Sequence, residues 1–269
     1  MRLSRCVPGL LLAFWLSPAH ADLAQGIAAI DAADYGRAVQ LLTEASQSGE
    51  ADAAFYLGRM RELGLGMARD VPSALALYER GADAGSASAR NRLGLFFLSG
   101  DGVLQDYERA AGLFCAAAED GDANGQYNCA LLRLEGKGMA VDKAAAIEDL
   151  KRAAAQNHIG AMNLLGQAYV AGEAVAKDIP AGIALIEKTA SFGNPAGLYA
   201  MGLAFAQGIG VEKDLVKSHA YFNLAATTGH PQGAQARAEI EAQLTPEQVI
   251  AAQRIARAFR SVPVPTPAP

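Results

Sequence analysis

Residues 93–121 read LGLFFLSGDGVLQDYERAAGLFCAAAEDG, and residues 201–229 read MGLAFAQGIGVEKDLVKSHAYFNLAATTG. The two stretches lie three periods of 36 residues apart, and their main Gly, Asp and Ala positions coincide. A fixed period of this length is the signature of a tandem helical repeat. The period, more than any single residue, therefore decides the fold.

Each period predicts two helices. The first helix of one unit is expected over Ala51–Leu63, and it ends at a glycine, which adopts a left-handed C-cap at low cost. An aspartate six residues later accepts backbone N–H bonds as the N-cap of the second helix. The columns that carry this pattern are Gly64, Gly100, Gly136, Gly172 and Gly208, and Asp70, Asp106, Asp142, Asp178 and Asp214. We interpret these residues as structural caps rather than as catalytic groups.

The full pattern, A-x-x-x-L-G-x-x-[YF]-x-x-G-x-G-V-x-x-D-x-x-x-A and then A-A-x-x-G, resembles the Sel1-like repeat, a relative of the tetratricopeptide repeat. The resemblance covers five units over residues 51–230 and a degenerate capping repeat over residues 22–50. It implies an all-α fold, a right-handed α-α superhelix, or solenoid, of stacked helix-turn-helix repeats. The departures from the pattern are Cys129-Ala130 for Leu-Gly, Ala174 for glycine, and Arg61 and Arg133 for an aromatic residue.

Both ends of the chain differ from the repeats. Residues 1–21 have a positive start, a short apolar run and small residues before Asp22, as in a cleavable signal peptide, so we expect a periplasmic or secreted protein. Residues 231–260 are expected to form C-terminal capping helices, with Ile250, Ile255, Ala256 and Phe259 against the last repeat. Residues 261–269 are rich in proline, which favours a disordered tail.

The composition limits the possible partners. The formal net charge is −5, and it becomes −7 if Arg2 and Arg5 are removed with the signal peptide. An acidic chain without runs of Lys or Arg is a poor candidate for binding nucleic acid. No later segment predicts a membrane span after cleavage. The histidines outside the leader, His158, His219 and His230, lack ligand spacing, so we expect neither a metal nor a cofactor.

By analogy with the tetratricopeptide fold, the first helices line a concave groove, at the positions two before and two after the leucine of each Leu-Gly pair. These positions mix aromatics, amides and leucines, which suits a site for another protein or a peptide segment. The candidate groove residues are Phe55, Arg59, Asn91, Leu95, Tyr127, Leu131, Asn163, Gln167, Tyr199 and Leu203. The leucines could equally pack on a neighbouring helix.

Cys115 and Cys129 are equidistant from residue 122, in the turn between two predicted helices. Residues equidistant from the turn of a helix hairpin face each other, and cysteine-rich members of the resembled family bridge the same junction. Against a bridge, the column of Cys115 holds polar residues elsewhere, as at Glu79 and Lys151. A disulfide and two separate thiols therefore both stay open.

These patterns favour a periplasmic protein–protein interaction module, an adaptor or regulator without enzymatic activity. One alternative is a hydrolase, because some members of the resembled family have carried β-lactamase or penicillin-binding labels. However, no Ser-x-x-Lys motif occurs outside the leader. Another alternative is peptidoglycan or glycan binding, with Tyr127 and Tyr199 as stacking platforms. The sequence does not separate a peptide from a glycan.

Overall fold

The computed structural model describes residues 18–265, with side chains from residue 23 onward. The predicted signal peptide lies outside the described residues except for the backbone of 18–21, and residues 266–269 of the tail lie outside them as well. The described part of the chain contains fourteen α-helices and no strand. The helices are α1 (Pro18–Asp31), α2 (Tyr35–Gln47), α3 (Ala51–Leu63), α4 (Val71–Asp83), α5 (Ala87–Ser99), α6 (Tyr107–Glu119), α7 (Ala123–Glu135), α8 (Lys143–Ala155), α9 (Ile159–Ala171), α10 (Ile179–Ser191), α11 (Pro195–Gln207), α12 (Leu215–Thr227), α13 (Gly233–Glu241) and α14 (Pro246–Ala258).

The N-terminal compact unit extends to Ala89 and contains α1 to α4. Each helix packs on the next one along the chain. Its core consists of small and aliphatic side chains, namely Ala29, Ala38, Leu42, Ala45, Ala53, Leu57 and Met60. The fully buried Tyr78 donates its hydroxyl to Glu62 Oε2 at 2.6 Å. Small residues in the core let the helices approach closely, which explains the alanine-rich columns.

The C-terminal compact unit begins at Arg90 and contains α6 to α14. Consecutive helices from α6 to α12 pack as neighbours, and both α13 and α14 pack on α12. Its described core includes three clusters, which contain Leu150, Leu198 and Phe222, as expected when each repeat buries its apolar side against adjacent repeats.

The predicted caps set the ends of the helices. The Asp106, Asp142, Asp178 and Asp214 side chains each accept the backbone N–H three residues later, as does Asp70 in the N-terminal unit. The first helix of a unit ends at a glycine such as Gly208, whose φ of 73° lies in the left-handed region. The same length of 13 residues therefore recurs for α2 to α12.

The departures from the repeat pattern are accommodated locally. Ala174 keeps the left-handed conformation of the glycine that it replaces, with φ 61°. Arg133 replaces an aromatic residue, and its guanidinium pairs with the carboxylate of Asp149, which is 1% exposed and also pairs with Arg152. Arg133 thus has a charge partner in Asp149, at a position where the other units have leucine or tyrosine.

The C-terminal helices only partly follow the expectation. Thr245 and Gln248 form a capping box at the start of α14, and Ala252 is fully buried. Of the four residues expected against the last repeat, Phe259 packs on its core cluster and Ala256 is half-buried. The expectation is wrong for Ile250 and Ile255, because their exposed fractions are 47% and 40%. α14 instead turns Ala252 towards the interior. In the predicted tail, Val262 N–H donates to Ser191 O at 2.9 Å, which ties the described part of the tail to the end of α10.

Candidate ligand cleft

Three of the predicted groove residues meet in one cleft of the C-terminal unit. Gln167 on α9 and Tyr199 and Leu203 on α11 line a cleft of about 410 Å³, with Ile183 and Ile186 of α10 among its other walls. We call it the α9–α11 cleft. Its lining comprises Gln167, Val170, Ile183, Ile186, Ala196, Tyr199, Ala200, Leu203, Ala204, Gln207, Ile209 and His230.

The α9–α11 cleft is apolar and carries no formal charge on the residues that line it. Tyr199 is held in place by His230, whose ring stacks on it at a centroid distance of 4.1 Å and an interplanar angle of 10°. Desolvation lowers the pKa of His230, so its imidazole is neutral at neutral pH. The amides of Gln167 and Gln207 provide the remaining polar groups. The chemistry suits an extended, uncharged ligand.

A second cleft, of about 440 Å³, shares Gln167 with the first. It lies among α7, α8 and α9, and Leu134, Ile147 and Leu164 are among its apolar residues. Lys143 and Glu173 also line it, so both signs of charge are present there. The two clefts therefore differ in charge, although they are neighbours along the same helix.

The structure corrects the assignment of two groove residues. Asn91 and Asn163 are only 9% and 8% exposed. Asn163 donates to Asn194 Oδ1 at 2.9 Å and accepts from Thr189 Oγ1 at 2.5 Å, while Asn91 accepts from Asn128 Nδ2 at 2.8 Å. The expectation that these amides face a solvated groove is wrong, because they join neighbouring helices.

The other groove candidates are more scattered. Tyr127 is half-buried, packs against His158 at a centroid distance of 4.6 Å with the rings tilted by 31°, and is not among the residues that line the α9–α11 cleft. Leu95 and Leu131 are half-buried and line neither of the two clefts. In the N-terminal unit, Phe55 packs edge-on against Tyr56 at 5.2 Å, and Arg59 pairs with Glu62 at 3.4 Å.

Two histidines without metal-ligand spacing, His158 and His230, are part of the repeat. The His158 Nδ1 accepts the N–H of Ala161 and caps α9, just as Asn194 caps α11. The His158 ring packs at a tilt against Tyr127, and the His230 ring stacks on Tyr199. The signal was available in the sequence, because the two tyrosines and the two histidines are each 72 residues apart.

The two cysteines lie in one disulfide. Cys115 of α6 and Cys129 of α7 are bonded, with a Cα–Cα distance of 5.0 Å. Cys129 is fully buried and Cys115 is half-buried. Of the two alternatives that the sequence left open, the structure has the bridge across the α6–α7 turn.

Within residues 18–265 no group of three or more His, Cys, Asp or Glu side chains is placed to hold a metal ion. None of the described helices combines the length and apolarity that a membrane span requires.

Helix pairs of constant length, capped in the same way and stacked on their neighbours around an apolar cleft, define an all-α repeat protein of the solenoid class. The Sel1 repeat family model matches residues 19–50, 51–86, 87–122, 123–158, 159–194 and 195–230. The chain therefore belongs to the Sel1 repeat family, and the predicted resemblance and fold class are confirmed. No curated protein matches the sequence.

Solved structures agree with this assignment. A Sel1 repeat protein from Oxalobacter formigenes has a TM-score of 0.76 at 22% identity, over 90% of this chain and 99% of that one. A protective antigen of uropathogenic Escherichia coli strains that displays an SLR fold has a TM-score of 0.61 at 23% identity. That match covers 90% of this chain and 60% of the antigen, so this chain spans less than two thirds of the antigen's length. These likenesses show the fold. Sel1 repeats commonly mediate protein–protein interactions, and proteins built from them are generally scaffolds without enzymatic activity.

Proposed function

We propose that this protein is a periplasmic adaptor that binds an extended, uncharged segment of another protein in the α9–α11 cleft. The observation that carries the proposal is the uncharged apolar lining around Tyr199 and Leu203, with an amide at Gln167 and another at Gln207. Apolar walls favour aliphatic side chains, and amides bond the main chain of an extended peptide. A charged ligand would lose hydration there without gaining a partner.

Two observations support a location outside the cytoplasm. The signal-like residues 1–21 predict export, and the Cys115–Cys129 disulfide is of the kind that persists in oxidising compartments. Sequencing the N-terminus of the protein recovered from a periplasmic extract tests this part of the proposal. We expect Asp22 as the first residue, and an uncleaved chain confined to the cytoplasm would contradict it.

The cleft itself is tested by site-specific photocrosslinking in living cells. A photoreactive side chain at Leu203 is compared with the same side chain at Leu131, which occupies the equivalent position two repeats earlier and lines neither of the two clefts. We expect a discrete adduct from position 203 only. In a chain without the photoreactive side chain, Leu203→Arg should then abolish binding of the captured protein, whereas Leu131→Arg should leave that binding intact.

The proposal fails if both positions give the same adducts, or if Leu203→Arg binds the captured protein normally while circular dichroism shows a folded chain. The alternatives have less support. For a sugar, one face of Tyr199 is already covered by His230, and Tyr127 packs against His158 outside the cleft. For hydrolysis, no observation at the cleft supplies a nucleophile beside a base.

A further inference from the structure

The second cleft, among α7, α8 and α9, repeats the α9–α11 cleft one unit earlier, and we call it the α7–α9 cleft. Of its ten lining residues, eight stand 36 residues before a residue that lines the α9–α11 cleft. The pairs include Leu134 and Val170, Ile147 and Ile183, and Leu150 and Ile186. Because the repeat unit is also 36 residues long, the paired residues occupy equivalent positions in neighbouring units. The two clefts therefore open on the same face of the stack.

Helix α9 is the wall that the two clefts share. Gln167 lines both of them, and its side chain is exposed. In the α7–α9 cleft it occupies the position that Leu203 has in the α9–α11 cleft. An extended chain in one cleft can therefore cross α9 at Gln167 and continue in the other, and the Gln167 amide can bond its main chain at the crossing. The clefts form two subsites of one groove, one repeat apart.

The two subsites differ most at the end where α8 begins and α9 ends. Glu173 of the α7–α9 cleft takes the repeat position of Ile209, and Lys143 takes that of Ile179. Both backbones are held by helix caps. Glu173 N–H donates to Ala168 O at 3.1 Å, and Lys143 directly follows the N-cap of α8. The α7–α9 cleft therefore holds one cationic and one anionic side chain at set positions beside apolar walls.

Neither of these charges has a partner within the part of the chain that the structure describes. The Lys143 and Glu173 side chains are exposed, and neither makes a hydrogen bond or an ion pair there. By contrast, every other charged side chain of α8 has an ion-pair partner, as Lys151 has in Glu148. A ligand that carries both an acidic and a basic group can pair with both residues. A ligand of one sign gains one pair and meets repulsion from the other residue.

We propose that the α7–α9 cleft is a second subsite for the partner's segment and that it recognises charge. The segment carries an acidic and a basic side chain next to its uncharged stretch. These two side chains pair with Lys143 and Glu173 while the uncharged stretch lies in the α9–α11 cleft. The inference rests on the proposed function, since the same partner is bound, and it adds the class of sequence that the groove selects.

Photocrosslinking at Ala171 tests whether the two clefts hold one segment. Ala171 is exposed, lines the α7–α9 cleft and is absent from the lining of the α9–α11 cleft. In living cells, a photoreactive side chain there should capture the same protein as one at Leu203. Tandem mass spectrometry of the two adducts should place both attachment points in one contiguous segment of that protein. An acidic and a basic residue should lie on the side attached to position 171.

A synthetic peptide with the sequence of the captured segment tests the charges. Fluorescence anisotropy with the processed full chain compares two double variants that leave the net charge unchanged. Lys143→Gln with Glu173→Gln should weaken binding about threefold to tenfold, as expected for two exposed ion pairs, and should remove most of its salt dependence. The matched control is Lys177→Gln with Glu187→Gln. These two residues are also exposed, but they line neither of the two clefts, so binding should be unchanged.

Charge reversal supplies a rescue that a merely structural role would not show. Lys143→Glu should weaken binding of the peptide. Changing the acidic residue of the peptide nearest to the position-171 attachment to lysine should restore the affinity of this variant, and it should weaken the affinity of the unchanged chain. Circular dichroism confirms that each variant is folded.

The outcomes separate this inference from the proposed function. The inference is overturned, and the adaptor function stands, if Leu203→Arg loses the peptide while Lys143→Gln with Glu173→Gln binds it as tightly as the unchanged chain. It is also overturned if positions 171 and 203 capture different proteins, or if the control weakens binding as much as the cleft variant does. If Leu203→Arg binds the peptide normally, the α9–α11 cleft is not the site and both proposals fail.

Discussion

Two junctions of the C-terminal unit occupy the same register, two repeats apart, and are closed by different chemistry. In the α6–α7 junction, Cys115 and Cys129 form a disulfide. In the α10–α11 junction, the equivalent residues are Glu187 and Met201, and the contact is instead a buried hydrogen-bond network. There Thr189 donates to Asn163, and Asn163 donates to Asn194, the N-cap of α11.

The repeat register dictates the close approach of the helices at each junction, but not the kind of bond that holds them together. Both junctions place a glycine of the first helix against the preceding helix, Gly125 at Ala117 and Gly197 at Thr189. Only the α10–α11 junction borders the α9–α11 cleft. The junction beside the cleft is therefore held by hydrogen bonds, and the junction that is held by a disulfide lies two repeats away.

The largest expected effect comes from removing the disulfide. Replacing Cys115 by Ser and Cys129 by Ala should lower the free energy of unfolding by about 3 kcal/mol, because the bridge closes a loop of about 15 residues in the unfolded chain. Urea denaturation measures the loss. Reduction with dithiothreitol should give the same loss in the unchanged protein and none in the variant. Equal stability of the bridged and reduced chains would show that the α6–α7 junction is as well held by packing alone.

The shared glycines should give the next largest effect. A methyl group at Gly197 would lie 2.3 Å from Thr189 Oγ1 and 2.7 Å from the backbone nitrogen of Ala190, and one at Gly125 would lie 2.6 Å from Ala117 Cβ. Gly125→Ala and Gly197→Ala should each cost about 2 kcal/mol of stability through overpacking.

Gly112 in α6 is the matched control for these two variants. It is an exposed helical glycine with nothing within 4 Å of an added methyl group. Gly112→Ala should raise the free energy of unfolding by up to about 1 kcal/mol through helix propensity. If all three substitutions gave the same change, close approach would not be the common requirement of the two junctions.

The buried amides Asn91 and Asn163 occupy equivalent positions two repeats apart, and removing them should change the stability by smaller amounts. Asn163→Ala should cost about 1.5 kcal/mol, since it breaks two hydrogen bonds in a buried network. Asn91→Ala should cost about half as much, because its partner Asn128 is half-buried and the pair is joined by one bond. Chemical denaturation of both variants checks the order, and a larger loss for Asn91→Ala would reverse the interpretation.

The smallest effect concerns pH and the caps of α9 and α11. Burial is the main cause that lowers the pKa of His158 below its ordinary value of 6.5, and Asp122 partly opposes it. The neutral Nδ1 accepts the N–H of Ala161 at 3.1 Å. Because the folded chain holds this proton less tightly than the unfolded chain, the stabilisation is present above pH 6.5 and is lost as the pH falls through the lowered pKa.

His158→Asn supplies the cap that Asn194 gives to α11, without a titrating group. The loss of stability between about pH 7 and pH 5 should therefore be about 0.5 kcal/mol smaller in the variant, after allowance for partial exposure. Urea midpoints at the two pH values measure it. An unchanged pH slope in His158→Asn would place the proton-linked stability at other groups, of which His230 is one, since burial lowers its pKa as well.

The backbone of the repeat was predictable from the sequence. α3 spans Ala51–Leu63 as expected, and Asp70 caps α4, because helix ends depend on local sterics and short-range hydrogen bonds. Those forces act within a few residues, and the 36-residue period repeats the same signal. The family and the all-α class could therefore be assigned from columns of glycine, aspartate and alanine alone.

The side-chain environment of the groove was less predictable. Asn91 and Tyr127 share a column, yet Asn91 is buried and Tyr127 is half-buried. The difference in burial depends on contacts between units. These contacts are set by the size of each side chain and by the residue that caps a helix in the next repeat. For the same reason, the sequence predicted ten groove residues without showing that three of them would meet in the α9–α11 cleft.

The buried carboxylate of Asp149, held between Arg133 and Arg152, constrains how the sequence can change with time. Without Arg133 the buried carboxylate would keep only Arg152, which is half exposed, so the cost is below the roughly 3–5 kcal/mol of a buried charge that has lost every partner. An aromatic residue in place of Arg133 is therefore tolerated best if Asp149 is replaced first or together with it. The order of mutations, and not only their identity, decides which neighbouring sequences this protein can reach.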